Sequence, residues 1–178
     1  MRFDPGPGWG GHCIPIDPFY LSWKARQFGQ QARFVELAGV INVEMPKWVL
    51  GRLQDELNQR GKAIKNSRIL LLGLAYKKDV SDARESPAFE FLELLNERGA
   101  RVSYHDPHVP RAPAMRSWPD LPALESVPMD PALLEEQDAV VILTDHRAVD
   151  YDLVARHASL IVDTRGVLPA ELANVVRA

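Results

Sequence analysis

The run Arg68-Ile69-Leu70-Leu71-Leu72-Gly73 decides the class of the fold. A continuous apolar run of this length is typical of a β-strand buried on both faces, because a half-exposed strand would alternate apolar and polar residues. Ser86 and Pro87 predict the cap and the first turn of a helix over 88–98, and a second strand is expected at 101–105. Strand, helix and strand in this order form a βαβ unit, which predicts an α/β fold built on a parallel sheet.

The pattern continues less regularly toward the carboxyl end. Residues 107–131 are rich in proline and predict a surface connection, with one helix candidate at 109–116. Beyond this connection helices and strands alternate, so the sheet is expected to have four strands. The expected elements are helices at 132–136 and 151–157, strands at 139–143 and 160–163, and a last short helix from Pro169 onward.

Two helical stretches precede the first strand. Asp17 and Pro18 predict the N-cap and the first position of a helix over 19–28. A longer helix is expected over 34–59, with a kink at Pro46 because proline lacks a backbone donor and crowds the preceding turn. This helix carries an apolar stripe that is expected to face a core or a partner helix. The stripe consists of Leu37, Val40, Ile41, Met45, Trp48, Val49, Leu53 and Leu57.

The loop over 6–18 is dense in glycine and proline and holds the only cysteine of the chain, Cys13. Two interpretations of Cys13 stay open on the residues alone. It is either a small packed side chain or a nucleophile, since helix N-terminal amides favour a thiolate, which attacks carbonyl carbon. On the residues alone, Asp17 is interpreted as a helix cap.

The loop over 73–87 leaves the carboxyl end of the first strand, where open parallel sheets bind their ligands. It is not the dinucleotide-binding fingerprint, because a single glycine stands where three spaced glycines are needed. Lys77 and Arg84 offer a point charge and a planar bidentate donor for phosphate. The alternative is that both are solvated surface cations.

Composition narrows the class of protein. A net charge of −3 favours neither a nucleic-acid partner nor a membrane surface, and no apolar run is long enough to span a bilayer. A single cysteine permits no internal disulfide, which fits a reducing, cytoplasmic compartment. No metal site is expected, because the remaining histidines lack ligand-like spacing with carboxylates or the cysteine. These histidines are His105, His108, His146 and His157.

Three motifs together resemble the UDP-glucose/GDP-mannose dehydrogenase family. They are Gly-Gly-His-Cys-Ile-Pro-Ile-Asp-Pro-Phe-Tyr-Leu at 10–21, Gly-Leu-Ala-Tyr-Lys followed by Asp-x-Arg-x-Ser-Pro within 73–87, and Val-Asp-Thr-Arg-Gly at 162–166. On the residues alone, Arg165 of the third motif is open to a structural salt bridge with Asp163 as well as to a ligand contact. The resemblance implies catalytic roles for Cys13 and Asp17, a cofactor contact for Arg84, and substrate contacts for Gly8, Trp9, Gly10, Tyr76, Lys77 and Arg165.

The resemblance also implies an organisation and an activity. It implies a Rossmann-like UDP-binding domain at 63–178, preceded at 1–62 by the cysteine loop and a central helix that forms a homodimer. The family oxidises the C6 alcohol of a nucleotide sugar to a carboxylate with NAD, through a thiohemiacetal and a thioester on the cysteine. Its main NAD-binding domain is absent from these residues, so the chain alone is expected not to turn over.

The choice of sugar rests on a departure from the family pattern. Ile16 stands where the UDP-glucose members often carry lysine, which points to the branch that oxidises UDP-N-acetylhexosamines. UDP-N-acetylglucosamine is the expected substrate, and UDP-N-acetylmannosamine and UDP-glucose are the alternatives. A hypothesis of another class is a nucleotide-sugar binding module in which Cys13 is idle.

Overall fold

A parallel sheet forms the centre of the fold. The computed structural model describes residues 5–178, so the first four residues of the predicted segment 1–62 lie outside the described part. The sheet has five strands in the order β2-β1-β3-β4-β5, and all of its pairings are parallel. This confirms the predicted α/β class. The strands are β1 Arg68–Leu72, β2 Arg101–His105, β3 Ala139–Ile142, β4 Ile161–Asp163 and β5 Val175–Arg177.

The five described helices lie close to their predicted positions. Ser86 caps α3 as expected, because its side chain accepts a hydrogen bond from the Ala88 backbone N–H at 3.3 Å. Asp130 and Asp150 cap the two short helices in the same way. The helices are α1 Asp17–Gln27, α2 Arg33–Gln59, α3 Pro87–Glu97, α4 Pro131–Glu135 and α5 Tyr151–His157.

The two faces of the sheet carry separate cores. Successive strand residues point to opposite faces. Ile69 and Leu71 therefore pack against α2 and α3, whereas Leu70 and Leu72 pack against the side that holds α4 and α5. All four are fully buried, which explains why β1 reads as a continuous apolar run.

The apolar stripe of α2 divides between core and surface. Leu53 and Leu57 are 0% exposed and belong to the core beneath α3, whereas Leu37 is 53% and Trp48 60% exposed. The stripe is expected to face a core or a partner helix, and its carboxyl-terminal half faces the core, where the chain's own sheet and α3 cover it. α2 continues without interruption through Pro46, which is buried. Among residues 5–178, no helix has the length and apolar content that crossing a membrane requires.

Two predicted helices are absent from the described residues. The segment at 109–116 is extended, and Arg111 forms an isolated bridge with Glu125. The helix expected after Pro169 is replaced by β5, which pairs with β4 and adds a fifth strand. The physical reason is that Val175 and Val176 are β-branched and meet an unpaired sheet edge, whose hydrogen bonds outweigh a weak helical pattern.

We expect Leu53→Ala and Leu37→Ala, the same chemical change on the same helix, to differ strongly in stability. Leu53→Ala should lower the free energy of unfolding by about 2–5 kcal/mol because it opens a cavity in the core. Leu37→Ala should change it by less than about 0.5 kcal/mol at a protein concentration that keeps the chain monomeric, because Leu37 is exposed in the single chain. Urea unfolding followed by circular dichroism measures both, and equal losses would contradict the division of α2.

Candidate active site

The carboxyl ends of the strands meet at one edge of the sheet and bring the predicted loops together. Leu72 lies opposite His105 of β2 and Ile142 of β3, so the segments that follow these strands are neighbours. The contact is closest at Gly73, where an added Cβ would lie 2.4 Å from the Thr144 Cβ. Gly73 also has a φ of +90°, so a side chain is excluded there on two grounds.

Asp106 is the buried centre of this edge. Its carboxylate accepts backbone N–H bonds from Leu74 at 2.7 Å, Ala75 at 2.9 Å, His108 at 2.8 Å and Val109 at 3.0 Å. Burial acts to raise the pKa of Asp106, but the bonds from His146 and these amides outweigh it and hold the pKa well below its usual range. This acid at the end of β2 therefore supports the fold rather than offering itself to a ribose.

His146 extends the network from Asp106 to the loop after β1. Its Nε2 lies 3.1 Å from Asp106 Oδ2, and its Nδ1 accepts the Asp79 backbone N–H at 2.9 Å. Because Nδ1 accepts, the ring proton is on Nε2, which donates to the carboxylate. The side chains of His146 and Asp106 are both 0% exposed, so no solvent competes for these bonds.

A possible metal-ligand set forms where the spacing in sequence showed none. The ligand atoms of Asp79, His108 and His146 lie within 4.8 Å of one another. The residues come from the ends of different strands, which linear spacing does not reveal. Both nitrogens of His146 are already hydrogen-bonded, however, and Asp79 binds Arg147, so the cluster lacks three available ligands.

The cysteine loop lies directly on the loop over 73–87. An added Cβ at Gly10 would lie 2.6 Å from the Glu85 carbonyl oxygen and 2.8 Å from the Tyr76 Cβ. At Gly11 it would lie 3.0 Å from Tyr76 Cε2, and the Gly11 N–H donates to the Arg84 carbonyl at 3.3 Å. Side chains at either glycine would separate the two loops. The predicted substrate residues Gly10 and Tyr76 are thus brought into contact.

The same loop reaches the third motif and the long helix. An added Cβ at Gly6 would lie 2.4 Å from Arg165 Nη1, so the loop crosses the guanidinium at close range. At Gly8, whose φ is +134°, it would lie 3.1 Å from the Asn42 carbonyl oxygen, the group that Pro46 leaves without its helical donor. Glycine is therefore favoured at Gly8 by its positive φ and its backbone neighbour, whereas a side chain at Gly6 would displace the Arg165 guanidinium.

Trp9 and Phe19 fix the turn into α1. Their rings meet edge to face with centroids 5.6 Å apart, and Phe19 occupies the space beside Gly39, where an added Cβ would lie 2.3 Å from Phe19 Cζ. Trp9 also borders a cavity of about 210 Å³ between the cysteine loop, α2 and the start of α3. Other lining residues include Pro15, Asn42, Glu85, Pro87 and Trp118.

Cys13 and Asp17 are exposed and joined by a helical hydrogen bond. The Cys13 carbonyl accepts the backbone N–H of Ile16 at 3.1 Å and of Asp17 at 2.8 Å, so the helical turn begins at Cys13. Ile16 occupies the N-cap position without a side-chain cap bond. The prediction that Asp17 caps the helix is therefore wrong, because Asp17 is already the first residue of α1.

The basic residues of the 73–87 loop differ in their surroundings. Lys77 is exposed and forms no ion pair within the described part of the chain, whereas Lys78 pairs with Asp145 at 2.8 Å. The Arg84 guanidinium donates hydrogen bonds to the Asp82 carboxylate, from Nε at 2.9 Å and from Nη2 at 2.6 Å. The hydrogen bonds of Arg84 lower the pKa of Asp82 to about 2. The guanidinium of Arg84 is thus already bound to a carboxylate of its own loop.

Arg165 stands at the end of β4, beside the cysteine loop. Its Nε donates to the Leu143 carbonyl at 2.7 Å, and its backbone N–H donates to Asp163 Oδ1 at 2.9 Å. The other oxygen of Asp163 accepts from Arg177 Nη1 at 2.6 Å. Arg177 belongs to β5, so the unpredicted strand supplies the cation that faces this buried carboxylate.

Comparison with known proteins identifies the family. Residues 70–170 match the UDP binding domain of the UDP-glucose/GDP-mannose dehydrogenase family, and residues 1–44 match its central domain. The chain belongs to this family. The resemblance drawn from the three motifs is thereby confirmed, together with the α/β fold that it implied.

Relatives of this chain are named as dehydrogenases of acetamido sugars. The UDP-N-acetyl-D-mannosamine dehydrogenase of Methanococcus maripaludis is 34% identical over 95% of this chain, and the chain spans 38% of that relative. The NDP-N-acetyl-D-galactosaminuronic acid dehydrogenase of Ralstonia solanacearum is 33% identical over 94% of this chain and is covered to 37%. The chain thus spans less than two fifths of the length of these curated relatives.

Solved structures share the fold. The UDP-D-ManNAc dehydrogenase of Pyrococcus horikoshii superposes with a TM-score of 0.76 at 28% identity, covering 97% of this chain and 38% of that one. The NDP-N-acetyl-D-galactosaminuronic acid dehydrogenase of Methanosarcina mazei Go1 gives a TM-score of 0.78 at 25% identity, with coverages of 100% and 39%.

Sequence reasoning missed Asp106 and His146 as organisers of this edge. Their position held a usable signal, since Asp106 follows β2 directly and His146 lies four residues beyond the end of β3. Polar residues just past the carboxyl ends of parallel strands lie next to a ligand site. What the sequence could not show is that both turn inward and bond to each other.

The buried Asp106 carboxylate predicts a specific acid response. Its depressed pKa means that its stabilising contribution is complete above the ordinary value of 3.8 and is lost as pH falls below it. We expect Asp106→Asn to lower the free energy of unfolding at neutral pH by about 1.5–3 kcal/mol and to flatten its decline in acid. Denaturant titrations from neutral pH downward measure this. Asp120→Asn, at an exposed position, serves as the control, and an unchanged acid response in Asp106→Asn would contradict the assignment.

Proposed function

We propose that this chain provides the substrate-binding and nucleophile-bearing part of a nucleotide-sugar 6-dehydrogenase. The observation that carries the proposal is the convergence of three motifs on one edge of the sheet. Gly10 and Gly11 touch Tyr76, and Gly6 touches Arg165, so residues far apart in sequence enclose one region. An exposed thiol, Cys13, lies in the same loop. The proposed division places the cysteine loop and central helices at 1–62 and the UDP-sugar-binding domain at 63–178.

The proposed substrate is UDP-N-acetyl-D-mannosamine. The departure at Ile16 predicted an acetamido sugar, with UDP-N-acetylglucosamine first, and several relatives carry the name UDP-N-acetyl-D-mannosamine dehydrogenase. These names favour the mannosamine alternative. Assay of the full-length enzyme against UDP-N-acetylmannosamine, UDP-N-acetylglucosamine and UDP-glucose compares the three directly.

The binding roles follow from charge and access. Lys77 is an exposed cation at the carboxyl end of β1, where it can meet a diphosphate, and Arg165 offers its guanidinium beside the cysteine loop. Gly8, Trp9 and Gly10 bring the loop backbone close to the bound sugar. Tyr76 lies beneath Gly10 and Gly11 and fixes their height above the sheet.

Cys13 is the proposed nucleophile for the second half of the oxidation. Its sulfur adds to the C6 aldehyde to give a thiohemiacetal, loss of a hydride to NAD would give a thioester, and attack by water then releases the carboxylate and the free thiol. Asp17 is exposed one helical turn beyond Cys13 and is proposed to assist proton transfer there.

NAD is the proposed hydride acceptor, but the described residues do not fit its pyrophosphate. The loop after β1 has one glycine where a cradle needs three, and the start of α3 is occupied by the Ser86 side chain and Pro87. Arg84, proposed to reach the cofactor side, is held by Asp82. This chain therefore contributes the substrate side of the reaction and at most an edge contact to the cofactor.

A homodimer is proposed through the exposed part of α1 and α2. Large apolar side chains are exposed to solvent there, and an exposed apolar patch of this kind is typical of a protein–protein interface. A second copy of the chain is the proposed occupant. The side chains include Tyr20 at 69%, Trp23 at 57%, Phe34 at 88%, Leu37 at 53%, Ile41 at 49% and Trp48 at 60% exposure.

The dimer proposal predicts the effect of a single charge. Ile41→Glu should shift the chain toward a monomer, because a carboxylate in the middle of an apolar interface would lose its water. Leu172→Glu, a change at a partly exposed leucine in another segment, should leave the dimer intact. Sedimentation velocity reports both, and a wild-type chain that is monomeric at high concentration would remove the proposed interface.

Cys13→Ser tests the proposed chemistry. In the full-length enzyme the variant should lose carboxylate formation, since a hydroxyl is far harder to ionise than a thiol, while UDP binding persists. Product is measured after incubation with UDP-N-acetylmannosamine and NAD. Retention of the wild-type rate would leave Cys13 idle and favour a nucleotide-sugar binding role for these residues.

Lys77→Ala tests the proposed phosphate contact against a neighbouring lysine. A charge-assisted bond to the diphosphate predicts that binding of UDP weakens by about 1.5–3 kcal/mol. Lys78→Ala should have little effect, because Lys78 pairs with Asp145. Isothermal titration of folded protein with UDP gives both values. Equal affinities of wild type and Lys77→Ala would return Lys77 to the solvated surface.

A further inference from the structure

The segment from Leu74 to Asp79, which carries Lys77, is bound to the sheet at both ends. At its start, Asp106 Oδ2 accepts the backbone N–H groups of Leu74 and Ala75 at 2.7 and 2.9 Å. The hydroxyl of Thr144 donates to the Ala75 carbonyl at 2.6 Å. The backbone N–H and the carbonyl of Ala75 are thus both hydrogen-bonded to residues that lie just after β2 and β3.

The far end of the segment is held by His146. The Asp79 backbone N–H donates to His146 Nδ1 at 2.9 Å, and His146 is 0% exposed. Asp79 has a φ of +57°, a left-handed conformation that is uncommon outside glycine and that aspartate tolerates better than most residues. Its carboxylate adds bonds to the Arg147 backbone at 2.9 Å and to Arg147 Nε at 2.6 Å.

One buried pair joins the two ends. Asp106 Oδ2, which holds Leu74 and Ala75, also lies 3.1 Å from His146 Nε2. The carboxylate thereby sets the imidazole tautomer, and the tautomer leaves Nδ1 as the acceptor that Asp79 needs. Lys77 lies midway between the two anchors, so its backbone position depends on a pair that it does not touch.

We infer that Asp106 and His146 are positioning residues that present Lys77 to the nucleotide sugar. The inference rests on the proposed function for its ligand, but the anchoring itself is independent of that ligand. The pair acts by ordering the segment in advance, which reduces the entropy lost when the diphosphate binds. His146 therefore contributes to substrate affinity without contacting the substrate.

Two substitutions at His146 separate its hydrogen bond with the Asp79 backbone from its hydrogen bond with Asp106. In His146→Asn the amide oxygen falls near the site of Nδ1 and can accept the Asp79 N–H, while the contact with Asp106 is lost. In His146→Gln the longer side chain places its amide NH₂ near the site of Nε2, keeping a donor for Asp106 and losing the acceptor. His157→Gln is the control, since His157 Nδ1 lies 2.8 Å from Glu135 Oε1 at the surface, away from the Asp106 network.

Amide hydrogen exchange measures how firmly the Asp79 backbone is held, and UDP titration measures the effect on substrate affinity. In the wild type the Asp79 amide should exchange far more slowly than that of Lys77. His146→Gln should lose this protection and bind UDP roughly three- to tenfold more weakly, the effect of one net hydrogen bond. His146→Asn should recover most of both at a lower melting temperature.

Three different results would contradict three different claims: the anchoring of Asp79, the positioning role of His146, and the proposed function. A wild-type Asp79 amide that exchanges as fast as Lys77 overturns the inference, and this measurement needs no variant to fold. Lost protection with unchanged UDP affinity overturns the positioning role. Absence of UDP binding in the wild type overturns the proposed function instead, and the exchange data then still decide whether His146 anchors the segment.

Discussion

The buried carboxylate of Asp106 is the constraint on which the site depends. A carboxylate removed from water must be hydrogen-bonded, and here four backbone amides and one imidazole meet that demand. The donors come from the segments that follow β1, β2 and β3. Satisfying one charge therefore fixes three loops relative to one another, and these loops carry the residues proposed to bind the nucleotide sugar.

Glycine provides the second constraint, through close approach. At Gly10 a Cβ would clash with the Glu85 carbonyl oxygen, at Gly6 it would displace the Arg165 guanidinium, and Gly8 and Gly11 combine tight contacts with a positive φ. The loop is rich in glycine because it crosses Arg165, α2 and Tyr76 in succession. The thiol of Cys13 is then carried beyond these contacts to an exposed position at the first turn of α1. The same residues thus pack the loop and place the proposed nucleophile.

Much of the fold could be predicted from local pattern. β1 is apolar on both faces because α2 and α3 cover one and α4 and α5 the other, and Ser86-Pro87 begins α3 as expected. The misses involve long-range contacts. β5 forms because β4 offers an edge, and Asp79, His108 and His146 meet only when three strand ends align. Neither of these is visible in sequence spacing.

The central claim is that the cysteine loop, the loop over 73–87 and Arg165 form one nucleotide-sugar site. A crystal structure of the protein with UDP-N-acetylmannosamine bound tests it most directly. We expect the diphosphate at the carboxyl edge of the sheet, within reach of Lys77 and Arg165, with the C6 of the sugar directed toward Cys13. A diphosphate bound elsewhere, or a sugar directed away from Cys13, would contradict it.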